Sequence, residues 1–277
     1  MQAKHEYEQK IAVKLSDPET TSKQYWSLTK KMYGNLKKAG IPSIIDDEKV
    51  FATSEEKATL FNEHFAAKAN LPENLPDLPV FTLLTEAKLT EVQTSPEIIK
   101  KILKNLQICK ANGPDNVSNR ILKTIADEIA LPLSNLCNMS FNSSKYPDSW
   151  KEANVTPVHK SKNRQIKLNY RPISLLSNIG KVPERVVFIE LFKFCMENEI
   201  LTWRNAGYKP MDSTVNQLVL LCHKIYEALA TGKDVCFVSL DASSAFDRVW
   251  HKGLMFKLRQ IGVGGKLLNW IEDYLSN

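Results

Sequence analysis

Apolar positions recur at three- and four-residue intervals through most of the chain, the period of helices that bury one face. Residues 5–15 are helix-prone and stop at Asp17-Pro18. The stretch "SKQYWSLTKKMYG" (22–34) puts Tyr25, Trp26, Leu28 and Met32 on a rough face and ends at Gly34. Thr53 and Glu56 form a capping box ahead of a helix with Leu60, Phe61 and Phe65 inward. "LPENLPDLP" (71–79) carries three prolines in nine residues, reads as a linker, and marks a domain boundary. Beyond it, Ser95-Pro96 opens a helix with Ile98, Ile99, Ile102, Leu103 and Leu106 on one face. "KANGPDNVSN" (110–119) is a loop, and a long helical stretch from Asn119 is interrupted or kinked at Pro132. Residues 174–198 read as largely helical, with Pro183 inside the pattern as a candidate true start, and residues 213–232 as a helix stopped by Gly232.

At two places the period changes to short β-branched runs. "ANVTPVHK" (153–160) predicts one strand, and "VCFVSL" (235–240) a second, buried one, followed by two helices. The pattern therefore predicts an α+β chain, mostly helical.

That second strand delivers Asp241 at its carboxyl end, with Asp247 six residues on and Phe246 between them. If the intervening stretch were all strand, the carboxylates would stand ~20 Å apart. If it were all helix, they would be ~9 Å apart along the axis, on different faces. Two catalytic metals sit ~4 Å apart, so neither geometry lets both acids share one cluster. Asp247 has a structural role available, closing a capping box with Ser244 for a helix starting at Ala245. Asp241 has none and is the candidate functional acid.

Charge adds a second feature. The chain of 277 residues has a net charge of +6, unevenly spread. Residues 1–95 hold 12 lysines, no arginine and 14 acids, and all seven arginines lie beyond. Residues 151–171 carry Lys151, Lys160, Lys162, Arg164, Lys167 and Arg171 against one acid, Glu152, which suits a triphosphate or a nucleic-acid backbone. Arg171 precedes Pro172, which favours extended backbone there. Five cysteines without a CxxC pair suggest neither a zinc site nor a disulfide framework and fit a reduced, intracellular setting. No run of eighteen apolar residues predicts a membrane span, and the charged start has no signal-peptide core.

Four blocks in order, "WKEANVTPVHK" (150–160), "NYRPISLL" (169–176), "GYKPMDST" (207–214) and "VSLDASSAFDRVWH" (238–251), resemble successive blocks of reverse transcriptases, above all those of non-LTR, LINE-type retrotransposons. "KANGPDNVSNRILK" (110–123) is similar to the extra block upstream of the fingers in those enzymes. "YWSLTKKMYG" and "EEKATLFNEHFAAKA" are similar to the segment ahead of the polymerase in jockey/CR1-like elements. The resemblance implies a helical connecting segment (1–95), a fingers-like region with the basic loop (96–230), and the first part of a right-hand polymerase palm (231–277). It also implies that Asp241 ligates Mg2+, that Arg171 holds the deoxynucleoside triphosphate with Lys160 assisting, and that the amide of Ala242 lies near the phosphates. Phe246 falls at the aromatic gate against a 2′-hydroxyl. Lys162, Arg164 and Lys167 would meet an RNA template and DNA primer.

The chain also departs from the pattern. Asn205-Ala206-Gly207-Tyr208 stands where the family has Gln-x-Gly-Phe, and Pro183 where an apolar helix former is expected. The family's second acidic motif, aromatic-x-Asp-Asp, is absent; the pair Asp46-Asp47 lies upstream, lacks the aromatic, and reads as a turn. The expectation is a polymerase fragment, inactive by itself. Its rivals are a non-catalytic nucleic-acid-binding remnant and an intron maturase-like reverse transcriptase.

Overall fold

Residues 11–15 are helical, as their spacing predicts; positions 5–8 and 10 of that expected helix, Pro18, Gly34 and residues 72–74 of the linker lie outside the described part of the chain. The computed structural model describes residues 9, 11–17, 20–32, 40–71, 75–202, 204–210 and 212–276. Helix α1 spans Ser22–Met32. Thr21 caps it: Thr21 N donates to Gln24 Oε1 at 2.9 Å, and Gln24 N donates back to Thr21 Oγ1 at 3.4 Å. Tyr25 and Trp26, two residues of the rough face read from the spacing, are exposed.

Contacts divide the chain into two compact units, one of residues 1–64 with 159–171, the other of residues 65–158 with 172–277. In the first, β1 (Ile44–Asp46) and β2 (Lys49–Phe51) form an antiparallel hairpin pairing Ile44 with Phe51 and Asp46 with Lys49. Asp47 and Glu48 turn it with φ of 45° and 67°, the left-handed pair that a tight two-residue hairpin needs. Of the Asp-Asp pair read as a turn, Asp47 lies in the turn and Asp46 ends β1. Helix α2 (Ser54–Ala69) starts at the expected box, in which Glu56 N donates to Thr53 Oγ1 at 3.2 Å and Thr53 N donates to Glu56 Oε2 at 2.9 Å. These bonds hold the Glu56 carboxyl below its ordinary range.

The second unit carries the larger core. Its elements are α3 (Pro96–Lys104), α4 (Asn119–Thr124), α5 (Ala126–Ser143), α6 (Asp148–Lys151), α7 (Lys181–Glu197), α8 (Thr214–Ala230), α9 (His251–Gln260) and α10 (Gly265–Leu275). Strands β3 (Ala153–His159) and β4 (Tyr170–Leu176) pair with each other. Ile99 and Leu103 of α3, Cys137 and Phe141 of α5, Val182 and Val186 of α7, and Trp270 of α10 are buried together. Burial pushes the Cys137 thiol up to about 12. The strand-like segment at Leu89 bridges Val263 in parallel, and its path needs Gly262, whose φ is +88° and where a Cβ would stand 2.1 Å from the Ala87 carbonyl oxygen.

Four expectations give way here. The long helical stretch breaks at Ile125, not at Pro132, which sits inside α5. Proline costs a helix interior ~3 kcal/mol, but Ala130, Leu133 and Cys137 are buried around it, and packing outweighs the local preference. Residues 174–176 are strand rather than helix, because pairing with β3 satisfies their backbone; α7 begins at Lys181 with Pro183 in its first turn. Residues 235–240 form no strand: a strand needs a partner for its N–H and C=O groups, and none of the described strands pairs with them. The helix expected from Ala245 starts instead at His251, because Ser244 has a φ of 54°, outside the extended conformation of an N-cap. Residues 243–248 make a turn closed by Arg248 N donating to the Ser244 carbonyl at 3.0 Å.

A half-buried carboxyl, Glu184, borders this core. Tyr146 Oη donates to Glu184 Oε1 at 2.9 Å, and Tyr146 packs edge-on against Trp150, Trp270 and Tyr274. Burial raises the Glu184 carboxyl above its ordinary 4.5, against the opposing pull of its hydrogen bonds and of Lys181. The folded chain therefore holds that proton more tightly than the unfolded one, so this contribution to stability is full at low pH and lost as pH rises through the folded value. Glu184→Gln should flatten the fall in stability as pH rises above the ordinary carboxyl value of 4.5, by about 1.4 kcal/mol for each tenfold change in proton affinity removed. Urea melts at several pH values measure it, and an unchanged slope would contradict the assignment.

Candidate nucleotide and nucleic-acid site

The basic segment is held by an aromatic hub. Tyr170 is buried beneath it, its ring 4.9 Å from Phe61 and 5.3 Å from His159, and its hydroxyl donates to the Arg164 carbonyl at 2.7 Å. Ile45 N donates to the Gln165 carbonyl at 2.8 Å, and Lys160 N donates to the Asn169 carbonyl at 2.8 Å. This fixes the backbone while Lys160, Lys162, Arg164 and Arg171 remain exposed at its surface. Lys167 differs, because it is half-buried in an ion pair with Asp46. Its charge is already answered within the protein, which weakens it as a phosphate contact. That pair, and the hub at Tyr170, carried no signal in the sequence: Asp46 lies 121 positions from Lys167.

The acidic side is built differently. Asp241 and Ala242 are exposed and lie in neither helix nor strand, with Leu240 at 93% exposure. Phe246 is 74% exposed, and its ring meets Tyr208 edge-on at 5.6 Å, a contact the sequence reading missed. Asp247 makes no cap with Ser244, as above. The expected residues thus divide: Lys160, Lys162, Arg164, Lys167 and Arg171 belong to one unit, and Asp241, Ala242 and Phe246 to the other.

A magnesium centre needs several oxygen ligands, commonly from more than one carboxylate. Among the described residues no three His, Cys, Asp or Glu side chains gather as a metal site. Asp241 offers one carboxylate, so the residues present do not by themselves make up a two-metal site. Helix α8 next to this stretch is also unburied: Val215, Leu218, Val219, Tyr226 and Leu229 are exposed, as are Phe237 and Val238. Among the described residues no helix is long and apolar enough to cross a membrane.

Exposure makes one prediction for Phe246. In a folded core, truncating such a ring costs several kcal/mol; at this exposed position Phe246→Val should change stability by less than ~0.5 kcal/mol. A denaturant melt of the 277-residue chain checks it, and a loss above ~2 kcal/mol would return Phe246 to the core.

With the geometry in place, the chain can be set beside known proteins. Residues 158–277 match the family model for reverse transcriptase (RNA-dependent DNA polymerase). The chain is 35% identical over 182 residues to the Drosophila melanogaster "Probable RNA-directed DNA polymerase from transposon BS", covering 64% of this chain and 20% of that one. It is 28% identical over 166 residues to the RNA-directed DNA polymerase from mobile element jockey of the same species, covering 60% and 18%. The jockey polymerase of Drosophila funebris matches at 27% over 216 residues, covering 76% and 24%. The chain spans about a fifth of the length of these relatives.

Proposed function

We propose, from the premise that residues 158–277 carry reverse transcriptase domain sequence of the non-LTR retrotransposon type, that this chain is the connecting, fingers and early palm portion of an RNA-directed DNA polymerase. The observation that carries the reading is the family match through both β4, with Arg171, and the Asp241 stretch. In this reading Arg171 binds the incoming deoxynucleoside triphosphate through its planar fork, and Lys160 adds a point charge beside it. Lys162 and Arg164 face the phosphates of an RNA template and DNA primer. Asp241 is a magnesium ligand, the Ala242 amide approaches the phosphates, and Phe246 borders the sugar. Bound magnesium would neutralise charge on the triphosphate. One carboxylate does not hold that centre, so the 277 residues by themselves bind primer–template without extending it.

The experiment incubates the purified chain with poly(rA)–oligo(dT), dTTP, and magnesium or manganese. Retention of the primer–template without extension is the expected result. Failure to retain it would remove the nucleic-acid reading. Template-dependent extension abolished by Asp241→Ala would overturn the predicted inactivity.

A further inference from the structure

The loop 110–118 lies against the point where β4 turns into α7, and it does so through backbone. A Cβ added at Gly113 would stand 2.5 Å from the Leu176 carbonyl carbon and the Ser177 nitrogen, and 2.6 Å from the Leu176 oxygen. Backbone cannot swing aside as a flexible side chain can, so only glycine permits this approach. Side chains then lock the contact. Ser177, 1% exposed, donates its hydroxyl to Asp115 Oδ2 at 2.6 Å, and its oxygen accepts from Ile179 N at 3.2 Å and Gly180 N at 3.3 Å. Asp115 Oδ1 accepts from Val117 N at 3.1 Å, and Asn178, 2% exposed, donates to the Val117 carbonyl at 2.9 Å. On the far side, a Cβ at Gly180 would meet Tyr146 Oη at 2.8 Å and Trp150 Cβ at 2.9 Å. The strand exit is wedged from both sides.

Asp115 is suited to this role because it is an acceptor at both oxygens. An asparagine can accept from Val117 N or from Ser177, not from both, so either the Val117 N–H or the buried hydroxyl proton loses its partner. The loop thus fixes the exit of the strand that carries Arg171. We propose that loop 110–118 is a buttress for nucleotide binding, with Gly113 and Asp115 as positioning residues that act through β4 on Arg171. The proposal rests on the reading of Arg171 as a triphosphate ligand.

The test is a double-mutant cycle on the 277-residue chain. Fluorescein-labelled dUTP is titrated by anisotropy against wild type, Asp115→Asn, Arg171→Ala and the double variant, with circular dichroism as a check on folding. Gly113→Ala is a harsher second probe. The expected result is that Asp115→Asn weakens nucleotide binding roughly fivefold in the wild-type background and has no further effect once Arg171 is gone. Hydrogen exchange over residues 172–180 should quicken in parallel. Equal losses in both backgrounds would mean a general structural role and overturn the inference. So would unchanged affinity in Asp115→Asn while Arg171→Ala binds more weakly, an outcome that leaves the role of Arg171 standing. If wild type does not bind the nucleotide, or Arg171→Ala binds as tightly, the role of Arg171 falls and the buttress with it.

Discussion

Trp270→Ala is expected to cost about 3–5 kcal/mol of stability, the range for removing a buried large aromatic. Trp270 is 2% exposed and touches three aromatic rings: Phe141 at 5.4 Å and Tyr146 at 5.3 Å edge-on, and Tyr274 stacked at 5.9 Å. Its indole N–H donates to Ser140 Oγ at 2.9 Å, and the truncation also removes this buried bond, although Ser140 still donates to the Lys145 carbonyl. Trp26, 59% exposed on α1, is the internal control. Its alanine variant should lie within ~0.5 kcal/mol of wild type. Urea melts of both variants decide the matter, and a loss below ~1 kcal/mol at Trp270 would mean that the α5–α10 packing is not the centre of its unit.

Binding to a primer–template should weaken steeply with salt. Counting Lys162, Arg164 and, with no triphosphate present to occupy it, Lys160, all exposed, as three phosphate contacts gives a slope of ~−2.7 in log affinity against log salt on duplex DNA, or a roughly 40-fold loss from about 50 to 200 mM. Alanine at all three should both weaken binding and flatten that slope, whereas Lys167→Ala should do little to either. The reason is that Lys167 is spent on Asp46, and its removal costs a half-buried pair in the protein instead. Anisotropy titrations at two salt concentrations measure each term. A slope unaffected by the triple substitution would place the nucleic acid on another surface.

The sequence by itself determined most of the helices and their starts, because caps and periodicity are local. Ser95, Thr53 and Ser213 each accept the backbone N–H expected of an N-cap. It also carried the resemblance to reverse transcriptases, since the ordered blocks around Arg171 and Asp241 survive as text whether or not they fold together, and residues 158–277 match that family model. Only the tertiary structure decided the rest. Pro132 stays inside a helix because buried neighbours outweigh its local cost. "VCFVSL" stays unpaired, although its composition favours a strand, because a strand exists only with a partner and none of the described strands supplies one. Lys167 was indistinguishable from its basic neighbours until the hairpin brought Asp46 to it, and the Asp115–Ser177 bond spans 62 positions. Such contacts are set by which surfaces pack, which no local spacing encodes; for the same reason Asp241 can be read from the sequence only as a candidate ligand, and among the described residues no three His, Cys, Asp or Glu side chains gather as a metal site.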